Sequence, residues 1–201
     1  MKLTWYGHSC FKLETSEGSA VFDPYAPGSV PGLELPPVTA DAVFCSHGHG
    51  DHSYAQGVAL TGKTPSYKVE QISCWHDDKN GSLRGDNLIT VVEAEGRRVA
   101  HMGDLGHRLS PEQIEAVGRV DVLLIPVGGY FTMDAAAAAE VVKALKPRVV
   151  VPMHYRGEGF GYGVIDPVEP FLKLSENVRY FDTNTLEIPS ERVTAVLKCH
   201  G

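Results

Sequence analysis

Residues 47–52 constrain the fold of this chain more than any other segment, because they read His-Gly-His-Gly-Asp-His. Four of these six side chains carry imidazole or carboxylate groups, which are ligands that suit Zn²⁺ and similar divalent ions. The two glycines allow the backbone to coil tightly, so that the four side chains can face one pocket. The segment directly follows Ala42–Ser46, an apolar run that is predicted to be a buried strand. We therefore expect a metal site at the end of a strand; the alternative is a histidine-rich surface loop.

Three further predicted strands end in a residue that commonly binds metals. The residues are His76, Asp104 and His154, and they follow the predicted strands 67–75, 98–102 and 149–153. The ends of strands in a sheet are where functional side chains tend to lie. We therefore expect these residues to share one rim with the segment 47–52. Each also has a structural alternative, such as a turn-capping role for Asp104.

The order of predicted elements indicates the class of fold. Strands dominate the first half of the chain, and strands alternate with helices in the second half. Residues 24–37 contain five prolines and are predicted to be a loop. Helices are predicted to begin at Ser110 and at Asp134, and a similar start pattern occupies 166–169. This order predicts a single α/β domain, a sandwich of two sheets with helices outside.

Composition excludes several classes of function. The chain has 18 basic and 25 acidic side chains and a net charge of −7, which disfavours nucleic acid as a partner. The basic residues near the middle of the chain, Arg84 among them, are scattered and are expected to be ordinary solvated side chains. No apolar run approaches the ~20 residues that cross a membrane. The four cysteines contain no Cys-x-x-Cys pair, so we expect a reducing, cytoplasmic location. The sequence does not decide whether the chain forms a homo-oligomer.

The sequence resembles the metallo-β-lactamase-fold superfamily of hydrolases and, within it, the small proteins that are similar to L-ascorbate-6-phosphate lactonase. The resemblance covers nearly the whole chain. It is carried by Gly7–Phe11, Asp23, residues 47–52, His76, Gly103-Asp104, Pro126–Gly129 and Pro152–Tyr155. It implies an αββα four-layer sandwich of two mixed β-sheets flanked by helices. It says little about the substrate, because one fold hosts many chemistries.

The resemblance also implies a pair of divalent metal ions. The first ion would be held by His47, His49 and His76. The second ion would be held by Asp51, His52 and His154. Asp104 would bridge the two ions. Zn²⁺ is the favoured metal, and Mn²⁺, Fe²⁺ or Ni²⁺ are alternatives.

One ligand of the first ion is left open. Only 23 residues separate His52 from His76, which is a short interval for this superfamily. His107 could therefore take the place of His76. His101 is a weaker candidate, because alternation along a strand turns it away from the face that Asp104 occupies.

Other candidates would orient the ligands or contact the substrate. Asp23 is expected to orient a ligand histidine, or else to end a turn. His8 is expected to reach the pocket as an acid or substrate contact, or else to be a hydrogen-bonded turn residue. Tyr130 and Thr132 follow a glycine pair that permits close approach of a ligand, although Thr132 could instead cap a helix. Arg156 is a candidate anchor for a carboxylate or phosphate, or else a solvated side chain.

The favoured function is hydrolysis of a small-molecule substrate by a metal-bridging water or hydroxide. A lactone or a phosphodiester is the expected ester-type bond. Asp51 would steer the nucleophile, and His8 would protonate the leaving group. One alternative is a non-catalytic module that binds or senses metal. The other is a di-iron redox protein, which is disfavoured because such relatives carry Glu at the position of His49 and an additional flavin domain.

Overall fold

Two β-sheets packed face to face form the centre of the structure. The computed structural model describes residues 1–199. In chain order the strands are β1 Lys2–Trp5, β2 Phe11–Thr15, β3 Gly18–Phe22, β4 Val38–Ala40, β5 Ala42–Phe44, β6 Val58–Leu60, β7 Lys68–Trp75, β8 Asp86–Ala94, β9 Arg97–His101, β10 Val122–Pro126, β11 Val149–Met153, β12 Val178–Tyr180, β13 Thr185–Glu187 and β14 Val193–Val196. The helices are α1 Pro111–Val117, α2 Ala135–Leu145 and α3 Glu169–Leu172, and a 3₁₀ turn occupies Ala55–Gly57.

The first sheet has five strands in the order β13-β1-β2-β3-β5. Its pairs are antiparallel except for β3 and β5, which run parallel. Successive side chains alternate between its two faces, as the pleat requires. Ala20 and Phe22 face the main core, whereas Val21 between them belongs to a separate cluster on the outer face.

The second sheet has seven strands in the order β12-β14-β11-β10-β9-β8-β7. The five neighbouring strands β12, β14, β11, β10 and β9 run parallel to one another. Strands β8 and β7 continue the sheet, and each is antiparallel to its neighbour. Every residue of β10 and β11 is buried, which is expected for parallel strands that are covered on both faces. Both sheets are therefore mixed, and the predicted α/β sandwich of two sheets is confirmed.

The two outer layers differ in kind. Helix α2 buries Ala138, Val141 and Leu145 and packs near β10 of the seven-stranded sheet, and α1 lies near β7. The outer face of the five-stranded sheet is covered instead by the proline-rich loop and by the small parallel pair β4 and β6. The residues in that cover include Tyr25, Val30, Leu33, Val38 and Val58.

Two helix starts agree with the sequence and one does not. Ser110 and Gln113 form the predicted capping box of α1, and the Asp134 side chain accepts a hydrogen bond from Ala137 N at the start of α2. The start predicted at 166–169 is displaced, because α3 begins at Glu169 and its N-cap is Val168 rather than Asp166. The backbone of Asp166 is committed to Gly128 and Arg156, so only the single turn Glu169–Leu172 is helical.

Three short strands were not predicted. They are β4, β6 and β13, each of three residues. A run of three residues is too short to establish alternation, and tertiary pairing decides its conformation.

Among residues 1–199, no helix is long and apolar enough to cross a membrane. The cytoplasmic location and the homo-oligomer stay predictions.

The sheet architecture brings the candidate ligands to one rim. Strand β5 leads into residues 47–52, and β7, β9 and β11 lead into His76, Asp104 and His154. Strands β7, β9 and β11 point in the same direction, so their carboxyl ends share one edge of the seven-stranded sheet.

Replacing Leu124 with Ala tests the role of the buried strand. Leu124 is fully buried in the main core, and the cavity left by Leu124→Ala should lower the free energy of unfolding by about 2–5 kcal/mol. The matched control is Leu60→Ala, at a side chain that is 63% exposed, where we expect a change within about 0.5 kcal/mol. Urea denaturation measures both. Equal losses in the two variants would contradict the assignment of the core.

Candidate metal centre

The structure brings all seven predicted metal-binding residues together at the rim. Their ligand atoms form three overlapping groups, and within each group these atoms lie within 4.8 Å of one another. The groups are His47, His49 and His76; His47, His52 and Asp104; and His8, Asp51, His52 and His154. His8 therefore lies among the ligand-type side chains, although it was predicted only to contact substrate or donate a proton.

Asp104 lies at the centre of these groups. Its Oδ2 is 3.1 Å from His154 Nε2, 3.2 Å from His52 Nε2 and 3.3 Å from His76 Nε2. His47 Nε2 lies 4.0 Å from the same oxygen. One buried carboxylate thus stands between the two sets of histidines.

Several buried polar atoms at the rim have no hydrogen-bond partner among the described residues. They are His47 Nε2, His52 Nε2, His154 Nδ1, His154 Nε2, His76 Nδ1, His8 Nδ1 and Asp104 Oδ1. Buried nitrogen and oxygen atoms in native proteins are nearly always paired, because an unpaired one costs desolvation energy. Divalent cations held among the Nε2 atoms and the carboxylate would satisfy several of them at once. The residues present therefore fit a metal centre.

The protonation of these groups also suits cation binding. Burial, together with neighbouring His52, lowers the pKa of His47 to about 3. Burial and the nearby His154 lower the pKa of His8 to about 4. A histidine with so low a pKa is neutral at pH 7, which is the form that donates a lone pair to a metal.

Two groups at the centre carry charge. Burial would raise the pKa of Asp104, but the imidazoles of His154 and His52 hold it well below its usual value. Burial would lower the pKa of His52, but Asp104 and Asp23 on either side raise it well above its usual value. The ionised carboxylates favour a cation here, and a divalent ion bound at His52 Nε2 would take the place of the proton that these carboxylates otherwise retain on the ring.

Asp23 orients two of the histidines from below the rim. Its Oδ2 accepts a hydrogen bond from His52 Nδ1 at 2.7 Å and another from Ser46 Oγ at 2.6 Å. Because the Ser46 hydroxyl hydrogen is used there, its oxygen accepts from His47 Nδ1 at 2.9 Å. Both rings are thereby held in the tautomer that leaves Nε2 without a proton and free for a metal. The predicted orienting role of Asp23 agrees with this geometry.

Strained backbone accompanies the site. His8, Asp23 and His154 have φ values of +50°, +44° and +53°, in the left-handed region that non-glycine residues rarely adopt. The strain is held by fixed contacts: the carbonyl of His8 accepts hydrogen bonds from His154 N at 3.2 Å and from Trp5 Nε1 at 3.0 Å. Such outliers concentrate at functional sites, where surrounding packing over-determines the conformation.

The two predicted catalytic residues contact each other. His8 Nε2 lies 3.3 Å from Asp51 Oδ2. The Tyr162 hydroxyl lies 3.1 Å from the same oxygen and 2.6 Å from Ser29 O. Tyr162 was not predicted, because it lies 111 positions from Asp51 in the chain and only the fold brings the two side chains together.

Asn87 is a second residue that the sequence analysis missed. Its Oδ1 accepts a hydrogen bond from Asp104 N at 2.9 Å, and its Nδ2 donates to Met102 O at 2.9 Å. Gly103, between them, has no room for a side chain, because a Cβ atom would lie 2.3 Å from Asn87 Oδ1. No local signal in the sequence distinguishes Asn87, because β8 also contains the polar residues Asp86, Thr90 and Glu93.

The structure separates His76 from the two other histidines considered for its place. His107 accepts a hydrogen bond from Trp75 N at Nε2 and donates from Nδ1 to Arg108 O, so both ring nitrogens serve the backbone. His101 donates from Nε2 to Ser9 O and accepts from Gly103 N, and its ring stacks on Phe22. His76 alone of the three belongs to a ligand group.

Three predicted substrate-facing residues lie outside the ligand groups. Tyr130 is 65% exposed, and its ring packs against Phe131. Thr132 is buried, and its hydroxyl donates to Met133 O. Arg156 is exposed, and its Nε donates to Ile165 O at 2.7 Å. Contact of these side chains with a substrate stays a prediction.

Comparison with known proteins gives consistent matches. The family model described as the β-lactamase superfamily domain matches residues 2–154. A UPF0173 metal-dependent hydrolase from Archaeoglobus fulgidus is 31% identical over 194 residues, covering 77% of this chain and 83% of the relative. A homologue of the same description from Thermoplasma acidophilum is 31% identical over 189 residues, with the same coverage of each chain.

A crystal structure extends the similarity to the fold. It shows a protein of Thermotoga maritima that is assigned to the Zn-dependent hydrolases of the metallo-β-lactamase superfamily. Its sequence is 33% identical, the match covers 99% of both chains, and the TM-score is 0.77.

Replacing Ser46 with Ala tests how the ligands are oriented. Ser46→Ala removes the link between Asp23 and His47, so the His47 ring loses its fixed tautomer. We expect metal affinity about 10- to 100-fold lower than that of the wild type. Competition with a chromophoric chelator measures the affinity. Ser66→Ala, at an exposed serine, is the control, and equal affinity in both variants would show that the link has no function.

Removal of metal should destabilise the fold. Ligand binding to the native state alone adds about 2.7 kcal/mol to its stability when the free ligand is at about 100 times its dissociation constant. We therefore expect the melting temperature to fall on chelation and to recover when Zn²⁺ is restored, as measured by calorimetry. In Asp104→Asn, with its central carboxylate neutralised, the shift should be smaller. Identical melting curves for metal-loaded and chelated wild type would argue against a metal centre.

Proposed function

Because this chain belongs to the family of β-lactamase superfamily domains and has the metallo-β-lactamase fold, we propose that its rim holds two divalent cations and hydrolyses a small-molecule ester. The coarser assignment, a metal-dependent hydrolase of the metallo-β-lactamase superfamily, follows from the family and its relatives. The number of ions, their identity and the ester are our proposals. A lactone is the favoured substrate and a phosphodiester the next, and the lactonase-like branch stays a prediction.

One observation carries the two-ion proposal: Asp104 Oδ2 lies within 3.3 Å of histidines from both ligand sets. We assign His47, His49 and His76 to the first ion. We assign Asp51, His52 and His154 to the second ion. Asp104 would be shared between them. Nitrogen and oxygen ligands of this kind favour Zn²⁺, with Mn²⁺, Fe²⁺ and Ni²⁺ as alternatives.

When bound, the ions would supply an acidified water molecule and polarise the bond under attack. Side chains of the protein would orient the water molecule and transfer the protons. Asp51 is placed to steer the attacking water, since its carboxylate is held in one orientation by His8 and Tyr162. His8 Nε2, 3.3 Å from Asp51 Oδ2, is placed to pass a proton on to the leaving group.

The space beside the histidines suits a small molecule. A cleft of about 710 Å³ opens next to His47 and His49 and is bordered by Trp75, Arg84 and Asp86. Volumes of this order are typical of small-molecule sites in proteins. A compact lactone or a phosphodiester would fit there with its reacting bond towards the rim.

Removing two ligands tests the proposal. In the double variant His47→Ala/His49→Ala the first set keeps only one histidine. We expect metal content to fall from two ions per chain and hydrolysis of lactones and chromogenic phosphodiesters to drop to background. Elemental analysis and steady-state kinetics measure the two quantities. The control is His107→Ala, a histidine of the same edge that belongs to no ligand group.

The outcomes separate the competing functions. Unchanged metal content and turnover in the double variant would refute the site. Two bound ions with no turnover of either substrate class would favour a sensing module. Iron with visible absorption that responds to reductant would favour redox chemistry.

A further inference from the structure

Arg84 is a cation without a counter-ion at the edge of the site. Its side chain is half-buried, and among residues 1–199 no carboxylate lies within salt-bridge distance of its guanidinium. Its guanidinium lies over the ring of Phe131, with 5.8 Å between the guanidinium carbon and the ring centroid. By contrast, Arg98 and Arg148 pair with carboxylates at 3.0–3.1 Å. Since guanidinium stays protonated at all physiological pH values, Arg84 presents an uncompensated charge.

A buried carboxylate holds the Arg84 loop in one conformation. Asp77 directly follows His76 and is 2% exposed. Its two oxygens accept hydrogen bonds from the backbone N–H groups of Lys79, Gly81, Leu83 and Arg84, at 2.7–3.0 Å. At the far end of the loop, the carbonyl of Gly85 accepts from His76 N at 3.0 Å. The loop is therefore tied to a candidate ligand, and the position of Arg84 is set before any substrate arrives.

Arg84 lies beside two of the candidate ligands. It borders the cleft of about 710 Å³ that His47 and His49 also border. Trp75, 38% exposed, borders this cleft too and offers an apolar surface beside the charge. The opposing charge in the lining is Asp86, which is exposed to solvent.

A row of aromatic rings connects Arg84 with the opposite side of the rim. The guanidinium lies over Phe131, the Phe131 ring is 5.6 Å from that of Tyr162, and the Tyr162 hydroxyl is 3.1 Å from Asp51 Oδ2. Arg84 is thus connected through these rings to Asp51, which we propose steers the nucleophile. This contact with an aromatic ring distinguishes Arg84 from an arginine that is surrounded only by solvent.

We propose that Arg84 binds an oxyanion group of the substrate, a carboxylate or a phosphate, while the ester bond lies at the histidine rim. This inference rests on the proposed function and deepens it, because it makes the substrate an ester that carries a separate negative charge. The planar fork of guanidinium donors matches such groups in a bidentate manner. The ring of Phe131 lies within cation–π distance of the guanidinium.

Kinetics with a matched pair of lactones tests the inference. The pair is γ-butyrolactone, which is neutral, and paraconic acid, which has the same ring and a carboxylate. The proteins are the metal-loaded wild type, Arg84→Gln and Lys79→Gln, with metal content verified as equal. Lys79 is exposed, belongs to the same loop and pairs with Asp78, so Lys79→Gln removes one charge without altering the lining of the cleft.

We expect the wild type to prefer paraconic acid. In Arg84→Gln, kcat/KM for paraconic acid should fall about 10- to 100-fold, as is typical for loss of a charge-assisted hydrogen bond. The value for γ-butyrolactone should stay within about twofold, and Lys79→Gln should resemble the wild type for both lactones. Arg84→Lys should recover part of the preference, since it keeps the charge but not the fork. Equal losses for both lactones in Arg84→Gln would overturn the inference.

A binding measurement separates this inference from the proposed hydrolysis. Tryptophan fluorescence reports on the cleft, because Trp75 lines it whereas Trp5 is 1% exposed. The probes are benzoate, phenylphosphonate and neutral benzyl alcohol, titrated into the same three proteins. We expect saturable binding of at least one anion that Arg84→Gln weakens about 10-fold or more and Lys79→Gln leaves unchanged.

The two anionic probes distinguish a carboxylate from a phosphate. Arg84-dependent anion binding without hydrolysis of any lactone would uphold the inference and refute the proposed lactonase activity. Lactone hydrolysis with no anion preference and no effect of Arg84→Gln on binding would refute the inference and leave the proposed activity intact.

Discussion

The interaction on which the site depends is the burial of one carboxylate among imidazoles. Asp104 is sealed from solvent, and its Oδ2 lies 3.1–3.3 Å from nitrogens of His52, His76 and His154. A buried carboxylate stays ionised only where positive charge or hydrogen-bond donors surround it. Protonated His52 supplies that environment in the metal-free chain, and cations held between the imidazoles and the carboxylate would supply it in the loaded site. The sandwich can be understood as the scaffold that brings these groups, from four separate strands, to one point.

A second layer of polar contacts makes the arrangement specific. Asp23 selects the tautomer of His52 directly and that of His47 through Ser46, so one carboxylate controls a histidine from each proposed set. Asn87 fixes the backbone at Asp104, because its Oδ1 accepts a hydrogen bond from Asp104 N. These contacts are buried, where hydrogen bonds are strong and a missing partner is costly. The strain at His8, Asp23 and His154 is the conformational cost of directing so many groups inwards.

The parts of this structure that could be predicted are those encoded by nearby residues. The buried strands β10 and β11, the capping box of α1 and the ligand-type residues at strand ends follow from periodicity and spacing. The role of Asn87 could not be predicted, because it depends on the pairing of β8 with β7 and β9, which joins residues far apart in the chain. The same is true of the displaced start of α3, where the backbone of Asp166 is hydrogen-bonded to Gly128 and Arg156 instead of capping the helix. Prediction from local sequence fails where a distant segment provides a more favourable hydrogen bond.

The position of Arg84 is evident from the fold and not from the sequence. In the sequence it is one of 18 basic side chains and has no special neighbour. In the fold it stands beside the histidines, because Asp77 folds residues 79–84 back over the end of β7. The candidate ligands lie at strand ends, so variation in the loops would change the substrate without disturbing the proposed metal centre. A chain with a net charge of −7 that keeps an unpaired cation at this point concentrates attraction for anions where the reaction would occur.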